Sequence, residues 1–371
     1  MAIVASTHPI SLLRPKFCTP KPRFGANAEL PIAHKMRVPF KLKEEQSRIF
    51  HELPSGLQME VILQKGSAKS AETRAENVER PPLIFVHGSY HAAWSWAEHW
   101  LPFFSASGFD CYAISLLGQG ESDAPSASVA GTLQTHASDI ADFIHRSFST
   151  PPVLLGHSFG GLIVQYYIAN SKHDHSDTDR LFPRLTGAVL VCSVPPSGNR
   201  YFSMLQNSTL FIHENYQPNL TSFFTSSSGL LWRYLFSKPV AAFKVTLSLA
   251  AKAFQTSLPL CKETFFSASM EDHLVLRYQE LMKESSRMPL FDLRKLNASL
   301  PVPSLPKSCI EVLVLGASDD FIVDAEGLNE TGRFYSVTPI CVQGVAHDIM
   351  LDCSWQRGAE AILTWLNCLG S

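Results

Sequence analysis

VLLGHSFGGLIVQYYIAN, residues 153–170, passes from four strand-like residues, the first three apolar, through a glycine-bracketed serine into a helix-length apolar stretch. Its centre, Gly156-His157-Ser158-Phe159-Gly160, is G-x-S-x-G between a strand and a helix. In that context the serine stands on a strained turn and lifts its hydroxyl over the carboxyl edge of a sheet. Side chains at the flanking positions would collide with neighbouring backbone, which accounts for the two glycines. Gly161 would let the helix approach its strand closely. The first turn of the helix offers unpaired N–H groups and a partial positive charge where an oxyanion would form.

Working outward, short apolar strands alternate with helical patterns. LQMEVILQ (57–64), LIFV (83–86), CYAIS (111–115), AVLVCS (188–193), EVLVLG (311–316) and TPICV (338–342) read as strands. WSWAEHWLPFFSASG (94–108), TLQTHASDIADFIHRSFS (132–149) and WQRGAEAILTWLNCL (355–369) carry helical spacing. This alternation implies a mostly parallel sheet with helices on both faces. The rhythm stops between Ser193 and Glu311, a stretch holding Phe202, Phe211, Phe223, Phe224, Trp232, Tyr234, Phe236, Phe243, Phe254, Phe265 and Phe266. Phe243, Leu247, Ala250 and Phe254 recur at helical spacing there, with Lys244, Ser248 and Lys252 opposite. The expected organisation is a leader over 1–50, an α/β core over 51–194 and 307–371, and an inserted helical cap over 195–306.

The composition narrows the function classes. Residues 1–50 hold nine Lys/Arg and three Asp/Glu, leaving 22 basic and 30 acidic residues, a balance of −8, in the rest of the 371-residue chain. A body of that sign repels nucleic-acid phosphates, so no nucleic-acid partner is expected. The first 28 residues contain no acid and gain basic residues only from Arg14. Acid-free and bearing Ser, Thr and Pro, they read as a plastid transit peptide, with a mitochondrial presequence or a disordered tail as alternatives. Eight cysteines without a C-x-x-C pair read as buried small residues in a reducing compartment rather than a disulfide frame, with Cys192, Cys309 and Cys341 inside apolar runs. No apolar run is long enough to span a bilayer. Lys244 and Lys252 beside an apolar face offer at most a peripheral membrane contact, and read as ordinary surface lysines. SKHDHSDTDR (171–180) reads as a solvated loop rather than a metal site.

A serine hydroxyl needs a base, and on this topology the order is Ser, acid, His. His347, in GVAHDIML after the last strand, is the candidate base; His87 and His157 read as positional neighbours. The acid is sought after the penultimate strand, in VLVLGASDDFIVD. Asp320 is favoured because the Ile-Val pair that follows would pin the turn. Asp319 stays open, and Asp324 reads as a helix cap. SVPPSGN, after AVLVCS, offers no carboxylate. The backbone N–H groups of Ser89, after His87-Gly88, and of Phe159 are the candidate oxyanion donors.

Phe85-Val86-His87-Gly88, Leu117-Gly118-Gln119-Gly120-Glu121-Ser122, Gly156-His157-Ser158-Phe159-Gly160-Gly161, the Asp320 loop and His347 together resemble the α/β-hydrolase superfamily from about residue 57 onward. Within it the chain looks like the plant and bacterial esterase-lipase branch, with a trace of the methylesterase and hydroxynitrile-lyase group in HGSYHAAWSW. The resemblance implies the α/β-hydrolase fold and acyl transfer. Ser158 would be nucleophile, His347 base and Asp320 the acid orienting it, with no cofactor and no metal. It departs at Ser115 and Leu117, where an acid and an arginine usually stand, which puts a polar contact near the mouth in doubt. The expected substrate is a small ester with an apolar acyl or alcohol group, bound under the cap, although the cap aromatics equally suit a cap core. Acyl transfer to another acceptor, lyase chemistry on the same triad, and a ligand receptor with vestigial turnover remain open.

Overall fold

The computed structural model describes residues 36, 39–67, 80–171, 181–198, 248–249, 251–304 and 310–369. Its centre is an eight-stranded sheet in the order β1-β2-β4-β3-β5-β6-β7-β8. The strands are β1 (Gln46–Glu52), β2 (Gln58–Gln64), β3 (Leu83–Val86), β4 (Cys111–Ile114), β5 (Val153–His157), β6 (Gly187–Val191), β7 (Glu311–Ala317) and β8 (Ile340–Val342). β1 and β2 pair antiparallel, as do β2 and β4, and every pair from β4 to β8 is parallel. The chain therefore carries the α/β-hydrolase fold.

The all-apolar strands are explained by burial on two sides. Successive side chains of a strand face opposite ways. Leu83 and Phe85 pack with Trp94, Trp96, Trp100 and Ile362 on one face. Ile84 and Val86 pack with Leu133, Ile140, Leu162 and Leu328 on the other. The first face is covered by α1 (Trp94–Ala97), α2 (Trp100–Ala106) and α9 (Trp355–Cys368). The second is covered by α3 (Leu133–Ser147), α4 (Phe159–Asn170) and α8 (Ala325–Tyr335). Thr132 starts α3 with a capping box, its Oγ1 accepting from Thr135 N–H while Thr135 Oγ1 accepts from Thr132 N–H at 2.6 Å.

Several expectations change. The leader boundary at residue 50 falls inside β1, which pairs with β2 over seven positions, and Phe40 is buried before it. β1 is an edge strand with Ile49 and Phe50 exposed, so its apolar residues carry no core pattern. The helix expected over 94–108 is two helices, because His99 leaves helical geometry at φ −132°. Cys341 is exposed, because β8 is the other edge strand; Cys111, Cys192 and Cys261 are buried thiols. Cys309, residues 1–35 and residues 172–180 lie outside the described residues, so the transit-peptide reading and most of the SKHDHSDTDR reading do too.

Among the described residues, the cap region contains a 3-10 turn (Ala253–Gln255) and helices α5 (Leu258–Phe265), α6 (Asp272–Ser285) and α7 (Leu293–Ala298). The aromatics Phe202 to Phe243, with Lys244, Leu247 and Ala250, lie outside the described residues. The expected polar face is corrected at Ser248, which is buried and accepts a hydrogen bond from Thr264 Oγ1 at 2.7 Å. Lys252 is exposed in a left-handed conformation, φ 51°, so no helical phase runs through it to Phe254. The cap docks on the core through Arg277 to Glu98 at 2.8 Å and Trp94 Nε1–H to Ser285 Oγ at 3.1 Å. Among the described residues, no helix is long and apolar enough to cross a membrane.

Candidate active site

Ser158 sits between β5 and α4 at φ 53° and ψ −120°, a left-handed conformation that a serine adopts only when its surroundings enforce it. The enforcement is visible on both flanks. Ser158 N–H donates to Val191 O at 3.1 Å, and Ser158 O accepts from Val194 N–H at 3.1 Å. A methyl on Gly160 would strike the carbonyl oxygens of Val86 and His87, and one on Gly156 the backbone of Gly160. Gly161 packs against Ser193, just past β6. The glycine roles read from the sequence are therefore steric ones.

His347 follows β8 and is buried. Its Nδ1–H donates to Asp320 Oδ2 at 2.8 Å. The other carboxylate oxygen, Oδ1, accepts from the N–H groups of Ile322 at 2.7 Å and Val323 at 2.9 Å. The Ile-Val pair thus pins the acid through backbone donors, with both side chains buried beneath it. Asp319 is exposed and takes Ser318 Oγ–H at 2.8 Å, away from the imidazole. Asp324 caps α8 by accepting from Gly327 N–H at 3.0 Å.

Burial pulls the His347 pKa down, but the charge of Asp320, its hydrogen bond and the charge of Asp348 outweigh that and hold it above the usual histidine range. Cys192, at the end of β6 with φ 43°, adds a thiol donor to Asp320; burial first, then that carboxylate, pushes its pKa well up.

The serine and the imidazole meet through their neighbours. His157 Nε2–H donates to His347 O at 3.0 Å, and the two rings lie 4.7 Å apart. Among the described residues, no hydrogen bond joins Ser158 Oγ to His347, and His347 Nε2 is bonded to nothing. Burial drives the His157 pKa well below the usual range, so it is a neutral spacer. His87 donates from Nδ1 to Gly88 O at 2.7 Å and accepts Leu116 N–H on Nε2 at 3.0 Å. Burial lowers its pKa to about 3, so it too stays neutral and shapes the turn before Ser89.

Sequence reasoning passed over several residues. Glu60, on β2, accepts Arg48 Nε–H and Ser115 Oγ–H at 2.6 Å each and Glu121 N–H at 2.9 Å. The polar contact put in doubt by Ser115 is thus made from a neighbouring strand. His91 and Asp348 form a second buried pair at 2.8 Å. Its only signals were a histidine two places after Ser89 and an acid directly after His347.

Two buried triples gather donor atoms within 4.8 Å, His157-His347-Asp348 and Cys192-Asp320-His347. Both include His347, whose Nδ1 is committed to Asp320, so the sets read as a proton-positioning network. A cavity of about 690 Å³ adjoins the acid loop, its lining mixing Pro259, Phe266 and Phe321 with Asp319, Asp320 and Asp324. It touches the triad candidates at Asp320; neither Ser158 nor His347 lines it.

The alpha/beta hydrolase family model matches residues 83–361. Among curated proteins, a non-heme chloroperoxidase of Streptomyces lividans is 33% identical over 115 residues, 31% of this chain and 37% of that protein. Protein phosphatase methylesterase 1 of Homo sapiens is 26% identical over 131 residues, 35% of this chain and 32% of that protein. The chain thus spans about a third of the length of these relatives. Among solved structures, an esterase from Exiguobacterium antarcticum superposes with a TM-score of 0.59 at 17% identity, covering 86% of this chain and 98% of its own. An epoxide hydrolase from Vigna radiata gives a TM-score of 0.54 at 17% identity, covering 87% and 98%.

Proposed function

The chain belongs to the alpha/beta hydrolase family, and on that premise we propose that it is a serine hydrolase of carboxylic esters acting through Ser158, His347 and Asp320. The observation that carries this reading is the oriented imidazole. Asp320 fixes His347 by Nδ1, leaving Nε2 as the proton acceptor beside a strained serine. The group at the elbow is a hydroxyl, which forms an acyl ester, rather than a carboxylate, which suits displacement at an alkyl carbon. That difference favours ester cleavage over the epoxide opening named for one structural neighbour.

In the proposed reaction Ser158 Oγ attacks the ester carbonyl while its proton passes to His347 Nε2. The charge on the carbonyl oxygen rests on the N–H groups of Ser89 and Phe159, at the first turn of α4. Collapse breaks the bond to the alkoxy oxygen, which leaves with the proton from His347. Water then attacks the acyl-enzyme with His347 again as base, releasing the acid and restoring Ser158. Phe265, from the cap, stands with its ring 6.5 Å from that of His347, which supports an apolar acyl or alcohol group near the base.

Turnover of p-nitrophenyl esters from acetate to long-chain acyl groups tests the reading. Hydrolysis that rises with chain length and vanishes in Ser158→Ala is expected. Hydrolysis unchanged in Ser158→Ala would refute the role of that serine, and a preference for acetate would refute the apolar substrate class.

A further inference from the structure

The second buried His–Asp pair lies outside the triad but joins its two halves. His91 Nε2 stands 2.8 Å from Asp348 Oδ2, and His91 Nδ1 stands 2.8 Å from Ser89 O. Both partners of the ring are acceptors. A carbonyl oxygen cannot donate, so Nδ1 carries a proton. A bare Nε2 against an ionised carboxylate would set lone pair against lone pair, so a second proton lies between Nε2 and Oδ2. His91 and Asp348 are 1% and 0% exposed, so neither contact is shared with water. The ring is walled by Trp94, stacked at 5.7 Å, and by Phe265 at 6.0 Å and His157 at 5.9 Å. The ionisable groups that feel the pair are His87, His157, His347, Cys192 and Cys261.

The ends of this link are the informative part. Ser89 lies in the turn offered as an oxyanion donor, and Ser89 N–H donates to nothing among the described residues. Tyr90 follows it at φ 68°, so the turn is held in a conformation that needs support. Asp348 directly follows His347, and its N–H donates to Phe265 O at 2.9 Å. Its Oδ1 accepts no hydrogen bond among the described residues and stands 3.7 Å from His157 Nε2, so His91 is the side chain hydrogen-bonded to the carboxylate.

We infer that His91 and Asp348 are a positioning pair that locks the oxyanion turn to the loop carrying the base, so that Ser89 N–H and His347 Nε2 keep a fixed separation while the tetrahedral oxyanion forms. This rests on the serine-hydrolase reading. Neither side chain touches the reacting atoms; each acts through a backbone neighbour. A backbone donor cannot be removed by ordinary mutation, and the pair is the place where a substitution reaches the oxyanion turn.

The test uses the full chain and its His91→Gln and Asp348→Asn variants, folded by circular dichroism. The readouts are p-nitrophenyl butyrate kinetics, affinity for an alkyl boronic acid that mimics the tetrahedral state, and affinity for butyrate. Each variant is expected to lose about 100-fold in kcat, the scale of a small displacement at the reacting centre, with KM little changed. Boronate affinity falls in parallel and butyrate affinity does not. The double variant is no worse than the worse single, because the pair acts as one unit. In 15N-histidine spectra of the wild type, one histidine shows a protonated Nδ1 together with an Nε2 held in a strong hydrogen bond, and that signature is lost in both variants. Variants that fold and keep wild-type kcat and boronate affinity overturn the pair's role while the hydrolase reading stands. So does a wild-type spectrum without such a histidine. A wild type whose Ser158 is not labelled by a fluorophosphonate overturns the hydrolase reading, and this inference with it.

Discussion

Two histidines in this molecule donate to a carboxylate at the same 2.8 Å, both nearly sealed from water: His347 to Asp320 and His91 to Asp348. What separates them is the other ring nitrogen. His91 Nδ1 is tied to Ser89 O, whereas His347 Nε2 is left for a reactant. The acids differ in the same sense. Asp320 has its Oδ1 held by two backbone N–H groups and faces a ring that, in the proposed reaction, gains and loses a proton. Asp348 keeps one oxygen without a hydrogen bond among the described residues and faces a ring whose two nitrogens are both tied to protein oxygens. A His–Asp pair is therefore a base or a brace according to what its far nitrogen meets.

That contrast is broken most severely at the reacting groups. Ser158→Ala and His347→Ala are each expected to cost about 10⁴- to 10⁶-fold in kcat with the fold retained, measured by ester turnover and circular dichroism. Asp320→Asn follows, at about 10⁴-fold, because the imidazole loses both its tautomer and its countercharge. Asp348→Asn sits about two orders of magnitude lower in effect, as a misplacement rather than a lost proton acceptor. Equal losses at the two acids would erase the distinction drawn here.

The pH profile sharpens the same contrast. In the proposed reaction His347 can take the serine proton only when neutral, and its pKa stands above the ordinary value near 6.5 because the Asp320 charge outweighs burial. The acid limb of kcat/KM is therefore expected to have its midpoint above about 6.5, activity falling as the pH drops through it. Asp320→Asn moves that midpoint down, and Asp319→Asn leaves it in place. The smallest effect belongs to Asp319→Asn, an exposed side chain, expected to change kcat by no more than about twofold.

The elbow was legible because its chemistry is local: a strand, a glycine-bracketed serine and a helix adjoin in eighteen residues. Asp320 was legible for a related reason, since the residues that hold its Oδ1 are its next neighbours but one and two. β1 was not, because QSRIFHE is an edge strand whose Ile49 and Phe50 face solvent, so its apolar residues mark no buried face. The break at His99 escaped for another reason: apolar spacing runs on across the two short helices. Ser248 was assigned to a polar face by periodicity, which cannot register the Thr264 hydroxyl that satisfies it in the interior. The His91–Asp348 pair joins positions 257 residues apart, and no spacing rule reaches that far.

Acylation of Ser158 with His347 as its base is put to the proof by trapping the intermediate. The chain is mixed with a p-nitrophenyl ester, quenched in acid within one turnover and digested, and the peptides are weighed. An acyl group is expected on Ser158 in the wild type, none in Ser158→Ala, and none within that time in His347→Ala. An acyl group on another residue, or full turnover by Ser158→Ala, would contradict it.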